Sequence, residues 1–118
     1  MRCFIGIDLG STTTKAVVID EQQRVIGRGI TNSRSNYDTA ATVAKQEALV
    51  SARFHLFREA LGTSGALNGG LDEFVSQLER DFRLEQFTEQ LVDLEDVCTR
   101  SVAGANFGDA APAVSAAL

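Results

Sequence analysis

Asp8, Gly10, Ser11, Thr12, Thr13, Thr14 and Lys15 fall within one short stretch, "DLGSTTTK". A carboxylate, a glycine, four hydroxyls and an ammonium gathered this tightly can hold an anion. In a glycine turn, consecutive N–H groups point into one space and take up anionic oxygens. The hydroxyls of Ser11, Thr12 and Thr13 can donate to the same oxygens, and Lys15 can add a positive charge. Asp8 can hold a hydrated Mg²⁺, which keeps several waters and needs few carboxylates. The spacing is neither the GxxxxGK[ST] of a P-loop nor a GxGxxG fingerprint. A plainer reading stands beside this one. Gly and Ser are ordinary turn residues and Thr is a good strand residue, so residue types alone leave both readings open.

The flanking segments decide what such a turn joins. "RCFIGID" alternates, "TTKAVVID" is rich in β-branched residues, and "RVIGRGIT" follows after a few polar residues. Strands this close together predict antiparallel hairpins, because a parallel crossover needs a dozen or more residues. The expected strands are 3–8, 13–20 and 24–31. Gly27 and Gly29 mark a bulge or a close backbone approach in the third.

From about Asn36 the apolar period becomes helical. The spacing predicts helices over 38–61 and 72–98. In the first, Val43, Ala44, Leu49, Val50, Phe54, Phe57 and Leu61 share a broad apolar side. Asp38 is the expected cap, with Ser35 competing, and Gly62 the expected stop. "GTSGALNGG" reads as a loop, and "ERDFRLEQF" as a bend or break in the second helical region. Residues 101–118 read as an Ala- and Gly-rich loose connection.

The remaining candidates weigh less. His55 has no acidic or nucleophilic partner nearby in sequence and reads as structural. The Phe residues at 54, 57, 74, 82 and 87 read as core, and the carboxylates of the second helical region as its solvated face. Arg28 and Arg34 can face an acyl-CoA or a partner subunit. Cys3 and Cys98 have no metal-ligand spacing and read as reduced thiols.

Composition bounds the partners. The chain has 118 residues, 44% apolar and 23% charged, with a net charge of −5. That balance suits a globular domain and shows no basic face for nucleic acid. No apolar run approaches a membrane span. The expectation is a cytoplasmic protein that binds neither nucleic acid nor membrane.

"GIDLGSTTTKAVVID" resembles the first phosphate motif of the actin, heat-shock-chaperone and sugar-kinase superfamily. Its "STTTK" form is similar to the activator ATPases of 2-hydroxyacyl-CoA dehydratases and benzoyl-CoA reductases. "GRGITNSRSNYDTAATVAKQEALVSARFHLFREAL" and "LERDFRLEQFTEQLVDLEDVCTRSV" resemble the N-terminal part of the A-type, ATP-binding subunit of ATP-dependent benzoyl-CoA reductase. The likeness spans residues 3 to 102.

The resemblance implies an α/β fold, α+β in this portion. It would have a ribonuclease-H-like, antiparallel three-stranded start with a phosphate-binding hairpin, followed by a helical insertion. Residues 1–35 would be the strands of the ATPase domain, 36–100 the helical insertion, and 101–118 a connection into a longer chain. It implies ATP and Mg²⁺ bound at Asp8, Gly10, Ser11, Thr12, Thr13, Thr14 and Lys15, with Asp8 reaching Mg²⁺ through water. No catalytic residue is assigned.

A second phosphate motif, an adenosine motif and the cysteines of a shared [4Fe–4S] cluster would lie elsewhere, and this chain by itself is expected to be inactive. The implied partners are the other reductase subunits, including a related ATPase subunit, and ferredoxin as electron donor. The implied activity is a ferredoxin-dependent oxidoreductase of anaerobic aromatic degradation that couples ATP hydrolysis to low-potential electron transfer. The alternatives are a 2-hydroxyacyl-CoA dehydratase activator and a small-molecule kinase of the same superfamily.

Overall fold

In the computed structural model, which describes residues 2–33, 36–65, 69–104 and 108–117, three strands come first. They are β1 (Phe4–Leu9), β2 (Thr13–Ile19) and β3 (Val25–Asn32), and they form one antiparallel sheet in the order β1-β2-β3. The expected hairpins are present. Two helices follow, α1 (Tyr37–Ser64) and α2 (Leu71–Gly104). After them come a 3-10 turn (Gly108–Ala110) and α3 (Ala111–Ala116). The architecture is therefore the three-stranded antiparallel start with helices that the sequence implies. By packing, the chain divides into two units, Met1–Val75 and Ser76–Leu118.

In the first unit α1 lies across β3 and β2. The core between them is Ala16, Val18, Ile26, Ala44, Ala48 and Ala52, with Leu49 and Leu56 at its margin. The buried line of α1 is thus its alanines Ala40, Ala44, Ala48 and Ala52, one turn apart, together with Val50. Val43 and Phe57, expected on the packed side, are 37% and 40% exposed. The cause lies in β3. A Cβ at Gly29 would come within 2.6 Å of the Ala48 amide nitrogen, and one at Gly27 within 2.7 Å of that of Ala52. Helix backbone and strand backbone touch there, so only alanine fits on the helix. β3 is also bulged, because Val18 pairs with Gly27 and Ile19 with Val25. Both expectations for these glycines hold together.

The β2–β3 turn is clamped by Asp20, which is buried. Its carboxylate accepts from the Gln22 amide at 2.9 Å, the Arg24 amide at 2.8 Å and the Arg24 Nε at 2.7 Å. Arg24 also pairs with Glu59 of α1 at 3.3 Å, and His55 lies 3.7 Å from the same carboxylate. Burial alone would raise the Asp20 pKa. The hydrogen bonds from Arg24 and Gln22 and the Arg24 charge outweigh it and hold the group below the ordinary carboxylate range. A depressed folded-state pKa means that stability is present above the unfolded value and is lost as pH falls through the folded one. Stability measured by urea melts is expected to fall below about pH 4. Asp20→Asn is expected to lower stability at neutral pH and to flatten that acid limb. An unchanged limb would show that the clamp is not the titrating contact.

Helix α1 is capped by Asn36, whose side-chain oxygen accepts from the Thr39 amide at 2.9 Å. Asp38, the expected cap, sits in the first turn instead, where a carboxylate still favours the helix dipole. Ser35 lies outside the described residues. The helix also runs through Gly62 and ends at Gly65, which takes the left-handed conformation that glycine adopts without strain.

Helix α2 runs unbroken where a bend or break was expected. Residues 71–103 hold no Gly or Pro, and Arg, Glu, Leu and Gln sustain a helix through 79–87. The 101–118 segment, expected loose, includes the last turn of α2 and two short helical pieces, with Pro112 in the first turn of α3. Phe74, Phe82 and Phe87, expected as core, are 45%, 38% and 57% exposed. Among the described residues no helix is long and apolar enough to cross a membrane.

Candidate functional site

The turn between β1 and β2 is built from its ladder outward. Asp8 pairs with Lys15 and Leu9 with Thr14, which leaves Gly10, Ser11, Thr12 and Thr13 as the turn, with Ser11 and Thr12 at its tip. The Gly10 amide donates to the Thr13 carbonyl at 3.1 Å. A Cβ on Gly10 would lie 2.6 Å from that carbonyl oxygen, so this close turn needs glycine.

Side chains alternate along a strand and face one another across it. Asp8, Thr13 and Lys15 therefore share one face of the hairpin, and Thr14 occupies the other. Asp8, Ser11, Thr12 and Lys15 are exposed and Thr13 is half-buried. Among the described residues the side chains of Asp8 and Lys15 and the hydroxyls of Ser11, Thr12 and Thr13 have no protein partner. The tip thus presents free hydroxyls, an ammonium and a carboxylate at one place.

Thr14 is fully buried. Its hydroxyl meets that of Ser33 at 2.9 Å. Ser33 gives its own proton to the Gly10 carbonyl at 2.6 Å, so Thr14 is the donor to Ser33. The Ser33 amide also donates to the Thr12 carbonyl at 3.0 Å. Thr14 and Ser33 hold the turn from below, and Thr14 does not reach the exposed face with the other six residues. Ser33 was not legible as part of the site. It follows the polar end of β3 and lies 23 residues from Gly10. Its one signal is the register, in which Thr13 opposite Asn32 places the next residue beside Thr12.

Removing the Ser33 hydroxyl leaves the Thr14 hydroxyl and the Gly10 carbonyl without their partner. An unpaired buried polar group costs about 1–3 kcal/mol. Ser33→Ala is expected to destabilise the first unit by that order in urea melts and to broaden the amide signals of Gly10 to Thr12. A neutral effect would mean the turn holds itself.

Beside the turn lies a groove of about 380 Å³ whose lining includes Lys15, Val17, Arg28 and Ile30. It brings Arg28 beside Lys15, while Arg34 lies outside the described residues. His55, expected to lack an acidic partner, has one a turn further along α1, with its Nε2 3.7 Å from the Glu59 carboxylate.

Chemically, the tip suits a phosphate with a hydrated divalent cation. Backbone and hydroxyl donors of this kind can hold anionic oxygens, the Lys15 ammonium could add a point charge, and the Asp8 carboxylate could accept from water on a metal ion. A cluster of three or more metal-ligating side chains is lacking among the described residues. A Mg²⁺ held through water and phosphate needs only one or two carboxylates.

No curated protein and no solved structure matches the chain. The sequence profile of the BadF/BadG/BcrA/BcrD ATPase family matches residues 5–110, which include the hairpin, its pins and both long helices. The chain belongs to the BadF/BadG/BcrA/BcrD ATPase family.

Proposed function

We propose that the β1–β2 hairpin is the first phosphate grip of an ATP-binding, electron-activating subunit of the benzoyl-CoA reductase type. The observation that carries the reading is the free donor set at Ser11, Thr12, Thr13 and Lys15, facing outward beside Asp8 on a turn pinned by Ser33 and Thr14. Donors fixed before the ligand arrives cost no reorganisation when it binds. The tip amides and hydroxyls take the phosphate oxygens, Lys15 neutralises charge, and Asp8 orients the metal's water. Bound Mg²⁺ supplies charge neutralisation on the phosphates. The hairpin touches one side of a triphosphate, so the opposite clamp comes from other protein surface. Closure of the two around ATP is the conformational step that hydrolysis then releases.

In this proposal the partners are a related ATPase subunit, the acyl-CoA-binding subunits and ferredoxin. A [4Fe–4S] cluster takes four thiolates. This chain has two cysteines, and Cys3 and Cys98 lie in separate units. These residues do not fit the cluster.

The test is a coupled assay with the co-purified complex, reduced ferredoxin, MgATP and benzoyl-CoA. Loss of the benzoyl-CoA aromatic absorbance, strictly dependent on ATP, is expected. Reduction of a 2-hydroxyacyl-CoA dehydratase by the same protein, or transfer of the γ-phosphoryl group to a small hydroxyl acceptor, would contradict the reductase reading.

A further inference from the structure

Lys15 stands in a row of three on the face of the sheet turned away from α1, with Asp8 opposite it on β1 and Ile30 opposite it on β3. The next row on that face is Gly6, Val17 and Arg28. Arg28 is therefore the diagonal neighbour of Lys15 across β2 and β3. Diagonal neighbours lie about 7–8 Å apart, within reach of long side chains. Helix α1 packs on the other face, against Ala16, Val18 and Ile26, and leaves this pair open.

Lys15, Val17, Arg28 and Ile30 stand around the groove of about 380 Å³, with Ala16 and Gly29 in its floor and Glu47 at its α1 rim. The two cations occupy one diagonal of this square and the two apolar residues the other, so neither apolar residue competes for an anion. Asp8 offsets the Lys15 charge on one side, and Arg28 adds to it on the other. Arg28 is exposed, and among the described residues its side chain has no protein partner, whereas Glu47 has an interaction of its own. The Arg28 backbone is held, because its amide donates to the Ser51 hydroxyl of α1 at 3.3 Å. A guanidinium presents a planar fork of donors that matches two phosphate oxygens at once.

We propose that Arg28 closes on the same phosphate group as Lys15, so that the nucleotide is held by a two-cation clasp reaching from the hairpin onto β3. The inference rests on the reading of the hairpin as a phosphate grip and adds to it a residue 13 positions beyond Lys15.

The test is an NMR titration of the whole chain with MgATP that follows the Arg28 Nε–H signal beside the amides of the tip. The Arg28 signal is expected to move with the same concentration dependence as the tip amides. Arg28→Gln is expected to raise the dissociation constant about three- to fivefold, the scale of one exposed charge contact, with urea melts unchanged. Arg28→Lys, which keeps the charge and loses the fork, should recover part of that loss. Lys45→Gln, which removes an exposed cation from the other flank of α1, should leave the constant unchanged. Tip amides that shift while the Arg28 signal stays still, or an affinity indifferent to Arg28→Gln, would overturn the clasp and leave the hairpin reading standing. Equal weakening by Lys45→Gln would overturn it too, as an effect of overall charge. A tip that does not respond at saturating MgATP would overturn the hairpin reading and the clasp together.

Discussion

Replacing Gly29 by valine is expected to destabilise the first unit by about 3 kcal/mol or more in urea melts. Strand propensity alone argues for the opposite sign, because valine is favoured over glycine in a strand on a scale spanning about 1 kcal/mol. Packing decides against it. A Cβ at Gly29 meets the Ala44 carbonyl oxygen, the Ala48 amide nitrogen and the Glu47 Cβ. The first two are helix backbone and cannot rotate away, so α1 would have to lift from β3. Lifting opens Ala44, Ala48 and Ala52 together, the helix side of the core. Gly6→Val is the control. A Cβ at Gly6 meets nothing closer than a Val17 methyl at 3.6 Å, an ordinary contact. It is expected to be neutral or slightly stabilising. Equal effects at both sites would show that α1 does not lie against β3 as described.

Lys15→Ala and Asp8→Ala are each expected to weaken ATP binding about tenfold or more in the assembled ATPase. Each removes one charge-assisted contact, and hydrogen bonds to charged groups contribute about 1.5–3 kcal/mol. Both side chains are exposed and without a protein partner among the described residues, so melting behaviour should not change. That separation of binding from stability distinguishes a ligand contact from a structural one. Lys15→Arg, which keeps the charge, should recover part of the loss. ATP affinity at the wild-type level in both alanine variants would remove the hairpin from the nucleotide site.

The strands were legible because alternation and β-branched density fix them locally, and three strands so close in sequence can pair only as hairpins. The tip was legible for the same reason, since Gly10 to Lys15 are contiguous. The packed side of α1 was misread. Large residues draw the eye to Val43 and Phe57, whereas contact with the backbone of Gly27 and Gly29 admits only alanine. Ser33 was missed because its partners, Gly10, Thr12 and Thr14, are brought to it by register and not by sequence spacing. Along α2 the apolar side passes from Leu71, Val75, Leu78 and Phe82 to Leu84, Phe87 and Leu91, and that change of face was read as a bend or break. A stripe that moves to the other side of a continuous helix interrupts the apolar period just as a kink does. Thr14 was counted with its neighbours at the tip because its residue type does not tell which side of the strand it faces.

The most direct measurement on the central claim is a residue-resolved amide NMR titration of this chain with MgATP. A single open turn cannot bury most of a nucleotide, and exposed charge contacts contribute about 1 kcal/mol or less each. The expected result is therefore a dissociation constant in the millimolar range or weaker. The shifts should be confined to the amides of Gly10 to Lys15 and should be lost in Lys15→Ala. An unperturbed tip at saturating nucleotide, or shifts centred elsewhere and indifferent to Lys15→Ala, would contradict the assignment of the β1–β2 hairpin as the phosphate site.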